Sequence, residues 1–218
     1  MTANIYLGDC FEAMKKMGEG SYQLAIPDPP YNIASKQKRG VGSRLDKTGK
    51  MNEWNGTVPD KMFFDNLFRV SDKQVIWGAN NFTGLPATEY FCIWNKKQTV
   101  PNFASAEYAW VSPSCKMPAK VFDYGIHQHN QDIDRMHPTQ KPVSLYKWLL
   151  KTYGALGDKI LDPFGGSMSS VLACIDLGFD IDIWEKDPDY FASAKLRIQN
   201  YCQQLPIFGE PPVINFYE

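Results

Sequence analysis

Two periods divide the apolar positions of this chain. Short runs rich in β-branched and aromatic residues recur: NIYLG from Asn4, Tyr22 to Ile26, QVIWG from Gln74, EYFCIW from Glu89, EYAWV from Glu107, KILD from Lys159 and FDIDIW from Phe179. Between them, apolar residues fall three or four apart, the spacing of one helix face. Phe11, Met14 and Met17 form one such set, and Met62, Phe63, Leu67 and Val70 another. Further helices are predicted over Val143 to Tyr153, Ser167 to Leu177 and Asp187 to Cys202. Pro142 suits the start of the first of these, where a missing N–H costs nothing. Strands alternating with helices predict an α/β sheet, mostly parallel, with helices on both faces.

Two stretches fall outside these layers: residues 32–58, polar and basic, and residues 112–136, irregular and interrupted by Pro113 and Pro118. Uncovered segments of that length in a compact domain are usually functional or mobile. The tail LPIFGEPPVINFYE, from Leu205, is Pro-rich and is expected to run extended over the surface or against a partner chain. The whole fits a single domain, 1–218, with these segments as parts of it.

Composition narrows the function classes. A formal charge of −1 argues against coating nucleic acid by net charge, though a local basic site is compatible with it. No run approaches the roughly 18 apolar residues of a membrane span, and MTANIYLGD lacks a basic region followed by an apolar core. A cytoplasmic location is therefore expected. Five scattered cysteines without a C-x-x-C pair suit free thiols in a reducing compartment. His127 and His129 have no third ligand at a familiar spacing, so no metal site is expected.

Ligands in open α/β sheets bind at the carboxyl ends of the strands. Three such ends carry chemistry here: Asp28 to Tyr31, Asp162 to Ser170, and Glu185 with Lys186. In the first, Pro29 and Pro30 stiffen a loop beside an acceptor-only carboxylate. In the second, LDPFGGSMSSVLA reads strand, glycine-rich turn, helix; Gly165 and Gly166 allow close approach and the helix start offers N–H groups to an anion. Glu185 lies about 20 residues on, where an acid can hold a ribose diol. Without G-x-G-x-x-G or a Walker sequence, the two together propose a ligand with a ribose and an anionic group but no phosphates.

DPPY at Asp28 to Tyr31, HPTQKP at His137 to Pro142 and LDPFGGS at Leu161 to Ser167 resemble the signatures of amino-group DNA methyltransferases. Their order, catalytic motif first and cofactor turn last, is similar to the permuted β class. The resemblance implies a Rossmann-like, circularly permuted, seven-stranded sheet in which NIYLGD supplies the strand beside the ribose acid. It implies catalysis by Asp28, Pro29, Pro30 and Tyr31. Asp28 and the Pro29 carbonyl would bind the two N–H groups of a flipped-out base, while Tyr31 stacks on it. It implies S-adenosyl-L-methionine as cofactor, held by Asp9, Cys10, His137, Thr139, Gln140, Lys141, Pro142, Asp162, Pro163, Phe164, Gly165, Gly166, Ser167, Glu185 and Lys186. Thr139, Gln140 and Lys141 would meet the cofactor's carboxylate.

The family turn usually reads F-x-G-x-G, and Met168 stands at the second glycine. Ser167 to Ser170 can begin the helix, which would put Met168 in its first turn. Lys36, Lys38, Arg39, Arg44, Lys47 and Lys50, against Asp46 alone, form a loop suited to DNA phosphates. Residues 112–136 stand where the family reads its target. The expected activity is adenine-N6 methylation of double-stranded DNA, because Asp at position 28 leans to adenine. Cytosine-N4 methylation and a catalytically silent DNA-binding subunit are the alternatives. A second copy of the chain and a cognate restriction endonuclease are further candidate partners.

Overall fold

The computed structural model describes residues 1–31, 58–101, 104–125, 140–205 and 210–218. In chain order its elements are β1 (Thr2–Leu7), α1 (Cys10–Met14), β2 (Tyr22–Ala25), α2 (Lys61–Val70), β3 (Ser71–Trp77), β4 (Phe91–Asn95), β5 (Ala106–Val111), β6 (Lys120–Asp123), α3 (Val143–Tyr153), β7 (Lys159–Asp162), α4 (Ser169–Leu177), β8 (Asp180–Glu185), α5 (Pro188–Gln203) and β9 (Val213–Tyr217). Short 3-10 turns follow β3 and β5, at Ala79–Asn81 and Pro113–Cys115. The strands form one sheet in the order β6-β4-β5-β3-β2-β7-β8-β1-β9. Among the described strands β5 alone runs against its neighbours, β3 and β4.

Alternation along the strands divides the core. Val75 and Trp77 face one layer with Leu24, Ile160, Ile181 and Ile183, under α3, α4 and α5. Ile76, Leu161 and Trp184 face the other, under α1 and α2. Phe63, Phe64, Leu67 and Val70 of α2 are buried there, each contributing about 1.5–3 kcal/mol. Helices α1, α2 and α5 each begin at an aspartate cap: Asp9 accepts from the Phe11 N–H at 2.9 Å, Asp60 from Phe63 at 2.9 Å and Asp187 from Asp189 at 2.8 Å. No helix among the described residues is long and apolar enough to cross a membrane.

Nine strands replace the expected seven. One extra is β9, made by the tail, which joins the sheet parallel to β1 with Ile5 opposite Phe216. Its aromatic residues explain the pairing. Tyr6 on β1 stacks on Trp184 of β8 at 4.4 Å and on Tyr217 of β9 at 4.6 Å, so one ladder of rings crosses three strands. The other is β6, inside the stretch expected to be irregular, and it lies parallel to β4. The expected neighbour of β8 is present: β1 lies beside it, parallel, with Leu7 opposite Glu185.

Candidate active site

The segment after β2 leaves the sheet tied on both sides. Ile26 N–H donates to the Leu161 carbonyl at 3.0 Å, and the Pro27 carbonyl accepts from Trp77 N–H at 3.0 Å. Asp28 follows at once, with its side chain 16% exposed. The Tyr31 hydroxyl donates to one Asp28 oxygen. Lys141 Nζ lies 2.5 Å from the other and 3.1 Å from the Tyr31 hydroxyl. Lys141 also reaches Glu107 Oε2 at 3.1 Å, and Glu107 Oε1 meets Lys96 Nζ at 2.5 Å.

The resemblance assigns Lys141 to the cofactor's carboxylate, but its three N–H donors meet Asp28, Glu107 and Tyr31. Burial raises the Asp28 carboxyl above the usual range, and the Lys141 ammonium opposes that rise. Lys141 is held charged because the two carboxylates outweigh its own burial. Burial would raise Glu107 as well, yet Lys141 and Lys96 hold it down to about 2.

Gly78 decides where Tyr31 sits. It ends β3 with φ +66°, and a Cβ there would lie 2.0 Å from Tyr31 Cε1. The ring packs against the position where any other residue would carry a side chain, and Phe82 lies 6.1 Å beyond it. The Tyr146 hydroxyl on α3 is pushed well up by burial and by Asp162, Asp28 and Glu107, which puts it in the field of all three carboxylates.

One strand over, the turn after β7 faces Glu185 at the end of β8. Gly166 N–H donates to Glu185 Oε2 at 2.6 Å, and Asp187 N–H to Oε1 at 2.7 Å. Gly165 lies so close to β8 that a Cβ would come 3.0 Å from the Trp184 carbonyl. Asp162 is 1% exposed; it accepts from Ser170 Oγ at 2.6 Å and Phe164 N–H at 3.1 Å. It meets no cation among the described residues, and burial pushes it up to about 7 despite those hydrogen bonds. Burial likewise raises Glu185. The Phe164 ring is half-buried, 5.3 Å from Phe63.

Met168 is not in the first helical turn. It is the N-cap of α4 with φ 54° and ψ 35°, so the left-handed conformation belongs to that position and methionine adopts it at a cost of about 1–2 kcal/mol. Complete burial of its side chain offsets that cost. Arg197 of α5 secures the same turn, donating to the Ser167 carbonyl at 2.7 Å and Ser169 Oγ at 3.1 Å.

Asp9 and Lys186 pair at 3.0 Å at the ends of β1 and β8, while Cys10, Gln140 and Pro142 are buried. His137, Thr139, His127, His129 and the basic residues Lys36, Lys38, Arg39, Arg44, Lys47 and Lys50 lie outside the described residues. So does the later half of the stretch 112–136. Its first residues pack away from Asp28: Ser112 N–H donates to the Gln74 carbonyl and Ser114 Oγ to the Asp72 carbonyl, at the amino end of β3. The chain returns to the carboxyl end only through β6.

Gly78, Glu107, Lys96, Tyr146 and Arg197 escape sequence reasoning. Gly78 left a signal, as a glycine closing a predicted strand; Glu107 left none, because it starts a strand rather than ending one.

A carboxylate bonded by a phenol and an ammonium, one strand from a glycine turn stapled to an acid, suits a group-transfer enzyme with an organic cofactor. The chain matches the family model described as DNA methylase, for N6 and N4 methyltransferases, over residues 60–196. It belongs to that family. It is 23% identical to the type II methyltransferase M.HinfI of Haemophilus influenzae, covering 96% of this chain and 74% of that one. Identity to the type II methyltransferase M2.MboI of Moraxella bovis is 25%, covering 89% and 86%. Among solved structures, the fold is similar to the cytosine-N4-specific PvuII DNA methyltransferase, with TM-score 0.60 at 15% identity over 97% of this chain and 89% of that one. TTHA0409 of Thermus thermophilus, complexed with S-adenosyl-L-methionine, gives TM-score 0.58 at 17% identity over 98% and 99%.

Proposed function

We propose that this protein transfers a methyl group from S-adenosyl-L-methionine to adenine N6 of a base flipped out of double-stranded DNA. The observation that carries the reading is the Asp28 carboxylate, oriented by Tyr31 and Lys141 one strand from the turn at Asp162 to Gly166. The cofactor fits the residues present, because Asp162 and Glu185, both raised by burial, meet no cation among the described residues. S-adenosyl-L-methionine supplies a methyl group already activated on a cationic sulfonium. Asp162 suits its ammonium, and Glu185 with the Gly166 turn suits its ribose. The chain order, with β1 beside β8, is the one a circular permutation produces.

The residues of the chain act mainly by position. The exocyclic nitrogen of adenine is a weak nucleophile because its lone pair is delocalised into the ring. The Asp28 carboxylate has about four lone-pair sites, two of them used by Tyr31 and Lys141. Those remaining, with the Pro29 carbonyl, accept the amine N–H groups and favour a tetrahedral nitrogen. As the nitrogen lone pair bonds the methyl carbon, the carbon–sulfur bond would break with its electron pair left on a neutral thioether sulfur, and Asp28 would take the proton that the nitrogen sheds. The donors around Asp28 are in place before the base arrives, which is electrostatic preorganisation. Extrusion of the base costs a few kcal/mol. The basic residues Lys36 to Lys50 serve the adjacent phosphates, and the salt dependence of DNA binding reads their contribution.

Labelled-methyl transfer to unmethylated DNA, followed by nucleoside analysis, tests the reading. N6-methyladenine is expected. N4-methylcytosine would overturn the choice of base, and cofactor binding without transfer would identify a silent subunit.

Asp162 gives a second test with a definite sign. Its carboxyl rises from an ordinary 3.8 to about 7 on folding, so the native state holds a proton the unfolded chain has released. Stability of the cofactor-free protein therefore falls as pH rises from about 4 to about 7, by up to about 4 kcal/mol. A cationic ligand beside Asp162 reverses this. Calorimetric titration with S-adenosyl-L-methionine near neutral pH, in buffers of different ionisation enthalpy, is expected to show proton release. Buffer-independent heats would remove Asp162 from the cofactor site.

A further inference from the structure

We propose that Glu107 is a positioning residue of the transfer site, holding the Lys141 ammonium against Asp28 and balancing the charge that Lys141 brings. The inference rests on the reading of Asp28 as the acceptor of the base amine. Four ionised groups alternate in sign from the site outward: Asp28, Lys141, Glu107 and Lys96, with contacts of 2.5, 3.1 and 2.5 Å. Their formal charges cancel. The chain joins the loop after β2, the approach to α3, the first residues of β5 and the residue after β4, so four separate elements converge on it.

The arrangement solves a chemical conflict. Lys141 is 3% exposed, with the Trp77 ring 5.3 Å and the Tyr31 ring 5.6 Å from its Nζ. An ammonium so buried needs anionic partners. Were Asp28 its only one, the Coulomb attraction would hold the Asp28 charge and weaken the carboxylate as an acceptor for the amine and its proton. Glu107 takes part of that attraction. Its own negative charge also raises Asp28. Lys96 in turn keeps Glu107 ionised, because it stands 2.5 Å from the free carboxylate oxygen. Among the described residues, the remaining groups facing these four are the hydroxyls of Tyr31 and Tyr146 and, across the neighbouring strand, Asp162.

Removing either outer charge moves Asp28 in opposite directions. Glu107→Gln leaves Lys141 to Asp28 alone and a net positive charge, which stabilises the Asp28 anion. Lys96→Met leaves Glu107 in excess and destabilises it. A residue that served the fold through packing alone would leave the Asp28 titration where it is.

Single-turnover transfer to unmethylated DNA is measured between about pH 5.5 and pH 9 for wild type, Glu107→Gln, Glu107→Asp and Lys96→Met. Glu107→Gln is expected to lose about 10- to 100-fold in rate and to move the acid limb to lower pH, with cofactor affinity within about threefold. Glu107→Asp keeps the charge and with it the wild-type acid limb; Lys96→Met moves the limb to higher pH. An unmoved limb in Glu107→Gln overturns the proposal. Should that variant lack a cooperative melt, an unmoved limb in Lys96→Met overturns it instead.

A second readout needs no activity. Acylation of Lys141 by acetic anhydride, mapped by mass spectrometry on the cofactor-free protein, is expected to quicken in Glu107→Gln. If wild type methylates no DNA, the functional reading fails while this labelling still decides the contact: unchanged labelling overturns it.

Discussion

Asp28→Ala is expected to lower methyl transfer by about 10³-fold or more while leaving affinity for S-adenosyl-L-methionine within about threefold. The size follows from what the carboxylate does. In the proposed mechanism it is the charged acceptor for the amine and takes the proton the nitrogen sheds, and in the structure Tyr31 and Lys141 converge on it. Selectivity for rate over binding follows from the topology. Asp28 stands at the end of β2, whereas Asp162 and the Gly165–Gly166 turn follow β7, and Glu185 ends β8. The variant also keeps its fold, because Lys141 retains Glu107 as an anionic partner. Single-turnover rates and cofactor calorimetry on the same preparation check both halves. Equal loss of rate and of cofactor binding would contradict the assigned role.

Gly78→Ala comes next in size, with a loss of about 100-fold in transfer expected from a residue that carries no side chain. Its φ of +66° costs alanine about 1–2 kcal/mol. The larger effect is steric. The new methyl would stand 2.0 Å from Tyr31 Cε1 and 2.4 Å from Cζ, so the ring must leave. Its hydroxyl then no longer donates to Asp28, and Lys141 loses one of its three acceptors. Melting temperature separates the two components. A destabilised variant with wild-type transfer per folded molecule would show that the Tyr31 position does not matter. In Gly78→Ala combined with Tyr31→Ala, where the ring is gone, the glycine substitution should cost only its backbone strain.

Physical reasons separate what could be read in advance from what could not. The prolines after Ala25, the glycine pair after Asp162 and the acid ending β8 declare themselves because strand ends and turns are encoded locally, in φ restrictions and missing donors. Helix starts are just as local: Asp9, Asp60 and Asp187 each cap the element that follows. Met168 misleads for the same reason. Methionine is a good helix former by propensity, and only the packed turn between β7 and α4 forces it into the left-handed region. The tail misleads in the opposite sense. Its prolines suggest a surface strap, yet Phe216 and Tyr217 find an aromatic and apolar edge on β1 that no local rule reveals.

By itself the sequence determined the α/β layering, the loaded strand ends and the glycine turn, because each depends on neighbours within a few positions. Tertiary structure alone decided who surrounds Asp28. Since β5 runs antiparallel, its first residues, not its last, lie with the carboxyl ends of β2 and β3, and Glu107 arrives beside Lys141 from 34 positions away. The same reversal sends Ser112 to Cys115 to the far end of the sheet. Strand direction is settled by pairing between distant segments, and pairing is a property of the assembled sheet.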